Sequence, residues 1–181
     1  MNNAPRFRPD ATVLGGNILS MLAAMGPFRR RGEQILADFG INGVVPDAWY
    51  PLAAYVGALH TIGEKMGPNT LYQIGRQIPN HVPMPPDIDT FPKVLASFGM
   101  AFDLNHRGGP PPGTTITFEQ LSPRQGQITS GTPYPCDFDR GVITGFFQKL
   151  LRSSVAVQRR EGTPCKAEGA DTCTYVVTTP G

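Results

Sequence analysis

Apolar residues recur at three- and four-residue spacing through the first half of the chain. Between Arg29 and Phe39, the residues Gly32, Ile35, Leu36 and Phe39 share one side, which predicts a helix stopped at Gly40. The clearest stripe is Leu52, Tyr55, Val56, Leu59, Ile62 and Met66, ended by Gly67-Pro68. Upstream, Ala11 to Met25 reads as a short extended piece and then a helix, interrupted at Pro27. Downstream, Asn69 is placed to cap a short helix carrying Leu71, Tyr72 and Ile74. Residues 79–93 show no period and read as a long loop, with Asp89 and Thr90 starting a helix through Val94, Leu95 and Phe98.

After Gly99 the pattern changes to alternation. Met100 to Leu104 reads as a strand, as do Thr114 to Glu119 and Gly126 to Thr129, with a hairpin turn at Ser122 to Gln125. Val142, Ile143, Phe146, Phe147 and Leu150 then form a second helical stripe, with Gly141 and Gly145 on another side where a backbone can approach closely. Ser154 to Gln158 and Thr172 to Thr178 read as two antiparallel strands. Helices first, then strands with one helix among them, predict an α+β fold: an antiparallel β-sheet backed by helices, with a helical N-terminal half. Residues 1–12 are expected to be a flexible arm and 13–178 a single domain.

Composition narrows the class. Charged residues are 17% of the chain, against about 25% in ordinary soluble chains. There are 21 glycines and 19 prolines among 181 residues, nearly twice the usual share of about 12%. That excludes a coiled coil and predicts many turns and long loops. A net charge of +2 with scattered basic residues gives no footprint for nucleic acid. The run Arg29-Arg30-Arg31 reads as a solvated helix face. The longest apolar stretch, Val13 to Gly26, is too short to span a bilayer and lacks a signal-peptide pattern. A cytoplasmic protein with no membrane span is expected.

Common nucleotide loops, serine elbows and HExxH helices are missing. No nucleophile, base and orienting group can be assembled, so the leaning is towards a protein that is not an enzyme. Of the three histidines, His60 sits at the edge of an apolar stripe and His81 in the proline-rich loop. His106 lies at a predicted strand end between Asn105 and Arg107, a place from which a polar group can point into a pocket.

The cysteines carry the sharpest chemistry. Cys165 and Cys173 flank the connection between two predicted antiparallel strands, and Cys136 lies just before a helix with Asp137 or Asp139 as its cap. A helix N-terminus favours a thiolate, and three convergent thiolates suit tetrahedral Zn2+. Glu161 is the nearest carboxylate for a fourth ligand, with His106 and Asp171 as alternatives. Three small buried hydrophobes and a Cys165–Cys173 disulfide are the competing readings.

The run Phe138-Asp139-Arg140-Gly141-Val142-Ile143-Thr144-Gly145-Phe146, then Val155-Ala156-Val157, then Cys165-x-Ala167-x-Gly169-x-x-x-Cys173-x-Tyr175-x-Val177 resembles the 4-vinyl-reductase-like domain family. Its fold is shared with small subunits of the TRAPP tethering complex and is related to haem-nitric-oxide domains. The resemblance covers about residues 130–178. It implies a bacterial source, a sheet backed by helices around an enclosed apolar pocket, and often a homodimer. It also implies a structural zinc on Cys136, Cys165, Cys173 and Glu161. The Glu161 position is four residues before Cys165, where the family places its ligand about three before.

The function expected from this resemblance is binding or sensing of a small apolar or aromatic ligand. The pocket is expected between the sheet and the Leu52–Met66 helix, lined by Trp49, Tyr50, Tyr55, Phe98, Phe102, His106 and Phe146; each of these is equally readable as ordinary core. The alternatives are an enzyme or accessory factor in tetrapyrrole (bacteriochlorophyll-type) metabolism, and a TRAPP-like dimeric interaction module. Haem is not expected, because there is no Tyr-x-Ser-x-Arg run for its propionates and no histidine in a proximal-ligand motif.

Overall fold

The computed structural model describes residues 7–82, 87–111 and 113–180. The chain begins with β1 (Thr12–Leu14) and α1 (Gly15–Ala24), followed by α2 (Arg29–Asp38), β2 (Trp49–Pro51), α3 (Leu52–Met66) and α4 (Pro68–Gln77). Then come α5 (Phe91–Leu104), β3 (His106–Arg107), β4 (Ile116–Ser122), β5 (Gln125–Ser130), α6 (Cys136–Leu151), β6 (Ala156–Arg159) and β7 (Cys173–Thr178). This is the expected α+β arrangement of antiparallel sheets backed by helices. Of the expected flexible arm, residues 1–6 lie outside the described residues. Residues 7–12 are anchored: the Arg8 amide donates to the Gly108 carbonyl, and Thr12 is already in β1.

Two antiparallel sheets form. A small one has the order β2-β1-β3, and a larger one has the order β4-β5-β7-β6. Ser130, the last residue of β5, pairs with Cys173, the first of β7. The core has two parts. One gathers the apolar faces of α1 to α4, including Ile18, Leu36, Tyr55, Leu59 and Ile74. The other lies between α5, α6 and the larger sheet, and includes Leu95, Phe98, Ile128, Ile143, Phe146, Phe147 and Tyr175. Helix α6 joins them, since Phe138 belongs to the first and Phe146 and Phe147 to the second.

Glycine makes that junction possible. Cβ atoms added to Gly141 and Gly145 of α6 would overlap the carbonyl oxygens of Tyr72 and Arg76, and one on Gly75 of α4 would overlap that of Phe138. The two helices therefore cross backbone on backbone. The guanidinium of Arg140 lies 4.4 Å from the centre of the Tyr72 ring beside this crossing.

Three local expectations are corrected. Met100 to Leu104 is not a strand but the last turn and a half of α5. Phe98, Ala101, Phe102 and Asn105 continue a three- and four-residue spacing into the core, and Gly99 allows close approach of the helix to the Ile116 carbonyl rather than stopping it. Neither Asp137 nor Asp139 caps α6: Pro135 is the cap residue and Cys136 the first helical one. Asn69 is the second residue of α4, which starts from Pro68 with Gly67 as its cap residue.

Candidate functional site

Two features stand side by side: an internal cavity and a cysteine cluster. The cavity, about 50 Å³, lies between α5, α6, the larger sheet and the end of α1. Its walls are mostly apolar, with Phe98 and Phe146 packed edge to face at 5.1 Å. The expected position against α3 is corrected, because no residue of Leu52–Met66 lines it. Helix α3 is spent on the first core, where α4 and Phe138 cover it.

Of the residues expected to line the pocket, Phe98, Phe102, His106 and Phe146 do so. Trp49, Tyr50 and Tyr55 do not. Trp49 is stacked under the Arg107 guanidinium at 3.8 Å, and the Tyr50 hydroxyl accepts the Val45 amide at 2.7 Å. Tyr55 is fully buried in the first core, with its hydroxyl donating to the Asn17 carbonyl at 3.3 Å.

His106 is the polar centre of the wall. Its ring stacks on Phe102 with centroids 3.9 Å apart. Nδ1 lies 2.7 Å from the Phe102 carbonyl, which can only accept, so the proton sits on Nδ1. Nε2 is left with its lone pair and takes the Tyr134 hydroxyl at 2.6 Å. Burial pushes the imidazole down to about 4, against a partly offsetting hydrogen bond to Phe102. The ring is therefore neutral at physiological pH. Burial also raises the Tyr134 phenol well above its ordinary value.

Sequence reasoning missed Tyr134, Asn17, Asn105 and the group around Asp139. The Asn17 amide donates to the Asn105 side-chain oxygen at 3.3 Å on the cavity wall. The buried Asp139 carboxylate accepts from Ser130 at 2.9 Å, Thr132 at 2.7 Å and the Lys166 ammonium at 2.6 Å. The signal that could have found Ser130, Thr132 and Tyr134 is their two-residue spacing: alternation continued past the end of β5 puts all three on one side, and each is buried.

The cysteine cluster lies on the other side of that group. The sulfurs of Cys136, Cys165 and Cys173 are 3.2–3.4 Å apart, and all three are free thiols. A ZnS4 tetrahedron with Zn–S bonds of about 2.3 Å has edges of ~3.8 Å, so each sulfur needs to move only by tenths of an ångström to hold such an ion. Cys136 sits at the first turn of α6, where the helix dipole favours negative charge. Burial and the two neighbouring thiols push Cys136 up to about 12. Burial also opposes the Cys165 thiolate, but donors from Cys173, Arg159 and the Ala167 amide outweigh it and hold that thiol down to about 7.

Among the described residues, the metal-ligating group consists of these three cysteines alone. Glu161 is exposed and outside it. His106 has both ring nitrogens engaged at the cavity. Asp171 borders a threonine-lined groove with Thr114, Thr129 and Thr172.

No family model and no curated protein matches this sequence, so the 4-vinyl-reductase-like assignment rests on the residues quoted for it. Solved structures do match in fold. An H-NOX protein from S. oneidensis in an Fe(II)NO ligation state is similar at 15% identity and a TM-score of 0.63, over 92% of this chain and 99% of that one. A Tt H-NOX variant is similar at 12% identity and a TM-score of 0.60, over 93% and 95%. A structure solved to probe heme distortion in the H-NOX family is similar at 12% identity and a TM-score of 0.58, over 93% and 96%. This corrects the expectation against haem: absent short motifs had argued against it, yet the chain shares its fold with haem proteins. In the conformation described, the residues around the cavity do not fit a porphyrin. The space is about 50 Å³, against roughly 300–1,000 Å³ for ligand pockets. Among the described residues, no lysine or arginine lines it, and the Nε2 lone pair of His106 is already taken by the Tyr134 hydroxyl. The chain thus has the fold of H-NOX domains, with a small cavity walled in part by His106 and Tyr134.

Proposed function

We propose that this domain binds a small, neutral, largely apolar molecule in the cavity and acts as a sensing module, with a structural zinc on Cys136, Cys165 and Cys173. The observation that carries it is the His106–Tyr134 pair facing an otherwise aromatic and aliphatic wall. A neutral imidazole acceptor beside a phenol donor gives one directional polar contact. The phenol already fills the imidazole lone pair, so a ligand hydroxyl or N–H donates to the Tyr134 oxygen. At about 50 Å³ the cavity selects ligands smaller than one aromatic ring, against ~150 Å³ for a cavity that takes benzene. Phe98 and Phe146 offer ring faces and edges to such a ligand.

Zinc would staple the strand-to-strand connection 160–172 to the start of α6. A domain with so many loops gains from such a link. A fourth ligand, either water or a carboxylate brought in by movement of Glu161, completes the tetrahedron. The enzymatic alternative finds no support in the geometry: His106 has a phenol and a carbonyl as its partners, not a nucleophile and an orienting carboxylate.

A second reading, a tetrapyrrole ligand, is favoured by the fold alone. It requires the His106–Tyr134 bond to open and the cavity to grow severalfold. Native mass spectrometry of the purified chain separates these readings. Zinc and a small retained molecule support the first. A retained tetrapyrrole, with a Soret absorption that His106→Ala abolishes, overturns it in favour of the second. A chain that carries neither, and takes up neither on titration, overturns both.

A further inference from the structure

Lys166 belongs to both halves of the site. Its backbone N–H donates to the sulfur of Cys173 at 3.1 Å, and it follows Cys165 directly. Its side chain is only 13% exposed, and its ammonium reaches into the cavity wall. There it donates to the Thr132 carbonyl at 2.9 Å, the Tyr134 carbonyl at 2.9 Å and the Asp139 carboxylate at 2.6 Å; Thr132 Oγ1 lies 3.0 Å away. These partners account for the donors of the ammonium. Thr132, Tyr134 and Asp139 all line the cavity.

We infer that Lys166 is a positioning residue that makes the His106–Tyr134 contact depend on the state of the cysteine cluster. The connection that carries Lys166 is tied to β6 by the exposed Arg159–Glu168 ion pair at 3.0 Å, and otherwise mostly folds back on itself. Within it, Glu168 and Ala170 donate back to the Cys165 carbonyl, and Gly169 takes φ +86° to allow this. A metal on the three sulfurs fixes where that turn lies and therefore where the ammonium points. The ammonium in turn holds residues 132–134, which connect β5 to α6, against the first turn of α6. That position sets the Tyr134 ring, whose hydroxyl must meet Nε2. Without metal the turn opens more readily, the ammonium leaves Thr132 and Tyr134, and the phenol loses its register with the imidazole. Linkage is reciprocal, so a ligand that orders the His106–Tyr134 pair tightens metal binding by the same factor.

This rests on the zinc reading, and the test separates the two. The full chain is loaded with zinc and the metal content measured. The ring 15N resonances of His106 are then recorded before and after removal of zinc by a chelator, in wild type, Lys166→Met and the double variant Lys166→Met/Asp139→Asn. The double variant removes both charges together, so no buried carboxylate is stranded if the single variant folds poorly. In wild type, zinc removal shifts and broadens the Nε2 resonance. In the variants, one zinc per chain is retained, but His106 already shows the metal-free signature and no longer responds to chelation. Full zinc occupancy with a His106 spectrum indifferent to chelation overturns the inference alone. So does a zinc-responsive His106 in the double variant. A chain that takes up no zinc overturns the metal reading and this inference with it, and the metal content identifies that case.

Discussion

The imidazole Nε2 of His106 and the hydroxyl of Tyr134 meet at 2.6 Å across 28 positions of sequence. The carbonyl of Phe102 fixes the tautomer from the other side. Burial holds this histidine near 4 in the folded chain, against about 6.5 when unfolded. Between those values the unfolded state binds more protons than the folded one. Stability therefore falls as pH is lowered from about 6.5 to about 4 and stops falling for this reason below that. The loss is roughly 2–3 kcal/mol across the window. Denaturant melts at stepped pH should show it as a difference between wild type and His106→Gln. Parallel pH profiles for the two proteins would remove His106 as the cause.

Tyr134→Phe deletes the donor and leaves the buried Nε2 without its partner. The expected cost is about 1–3 kcal/mol. The imidazole should also titrate at higher pH if water enters the gap, which an NMR titration of His106 reads directly. A stability equal to wild type with an unmoved titration would contradict the hydrogen bond.

Gly141→Ala and Gly145→Ala place a methyl against the α4 carbonyls of Tyr72 and Arg76. No side-chain rotation relieves a clash with backbone. Each should cost at least ~2–3 kcal/mol, although alanine is the better helix former by about 1 kcal/mol. Thermal melts of the two variants decide it, and a stabilised Gly145→Ala protein would refute the close crossing.

Cys165→Ser removes one sulfur from the cluster. Zinc content should drop well below one per chain, and stability should fall by several kcal/mol, because the ion's binding energy adds to folding. In chelator-treated protein the same substitution should matter far less. Equal losses with and without zinc would point instead to packing of the buried thiol.

Phe146→Ala opens space beside Phe98. It should cost about 3–5 kcal/mol. A small apolar probe such as benzene should recover part of that by binding the enlarged cavity, raising the melting temperature in proportion to its concentration. No effect of benzene at saturation would show that the walls collapse into the space.

Much of the frame was legible in order and period. The stripes Leu52–Met66 and Val142–Leu150 gave their helices because each spacing encodes one buried face. The glycines on the other side of the second stripe pointed to a close backbone approach, which the structure supplies from α4. Clustering of Cys165 and Cys173 followed from antiparallel pairing of the strands that flank them, as β6 and β7 do. The Met100–Leu104 stretch misled because Gly99 looks like a stop, while its actual use is contact with β4. The pocket was misplaced against α3 because the pattern shows which face of a helix is apolar but not which neighbour covers it.

By itself the sequence determined most element types, the backbone-facing glycines and the set of cysteines able to converge. Those are local or nearly local properties, set by spacing along one helix or across one strand pair. Tertiary structure alone decided that Tyr134 meets His106, that Trp49 and Tyr50 stand away from the cavity, and that the Lys166 ammonium crosses from the cysteine turn to Asp139. Each of these joins positions far apart in the chain. Their meeting depends on sheet order and on how closely α4 and α6 cross, and no periodicity in the sequence records either.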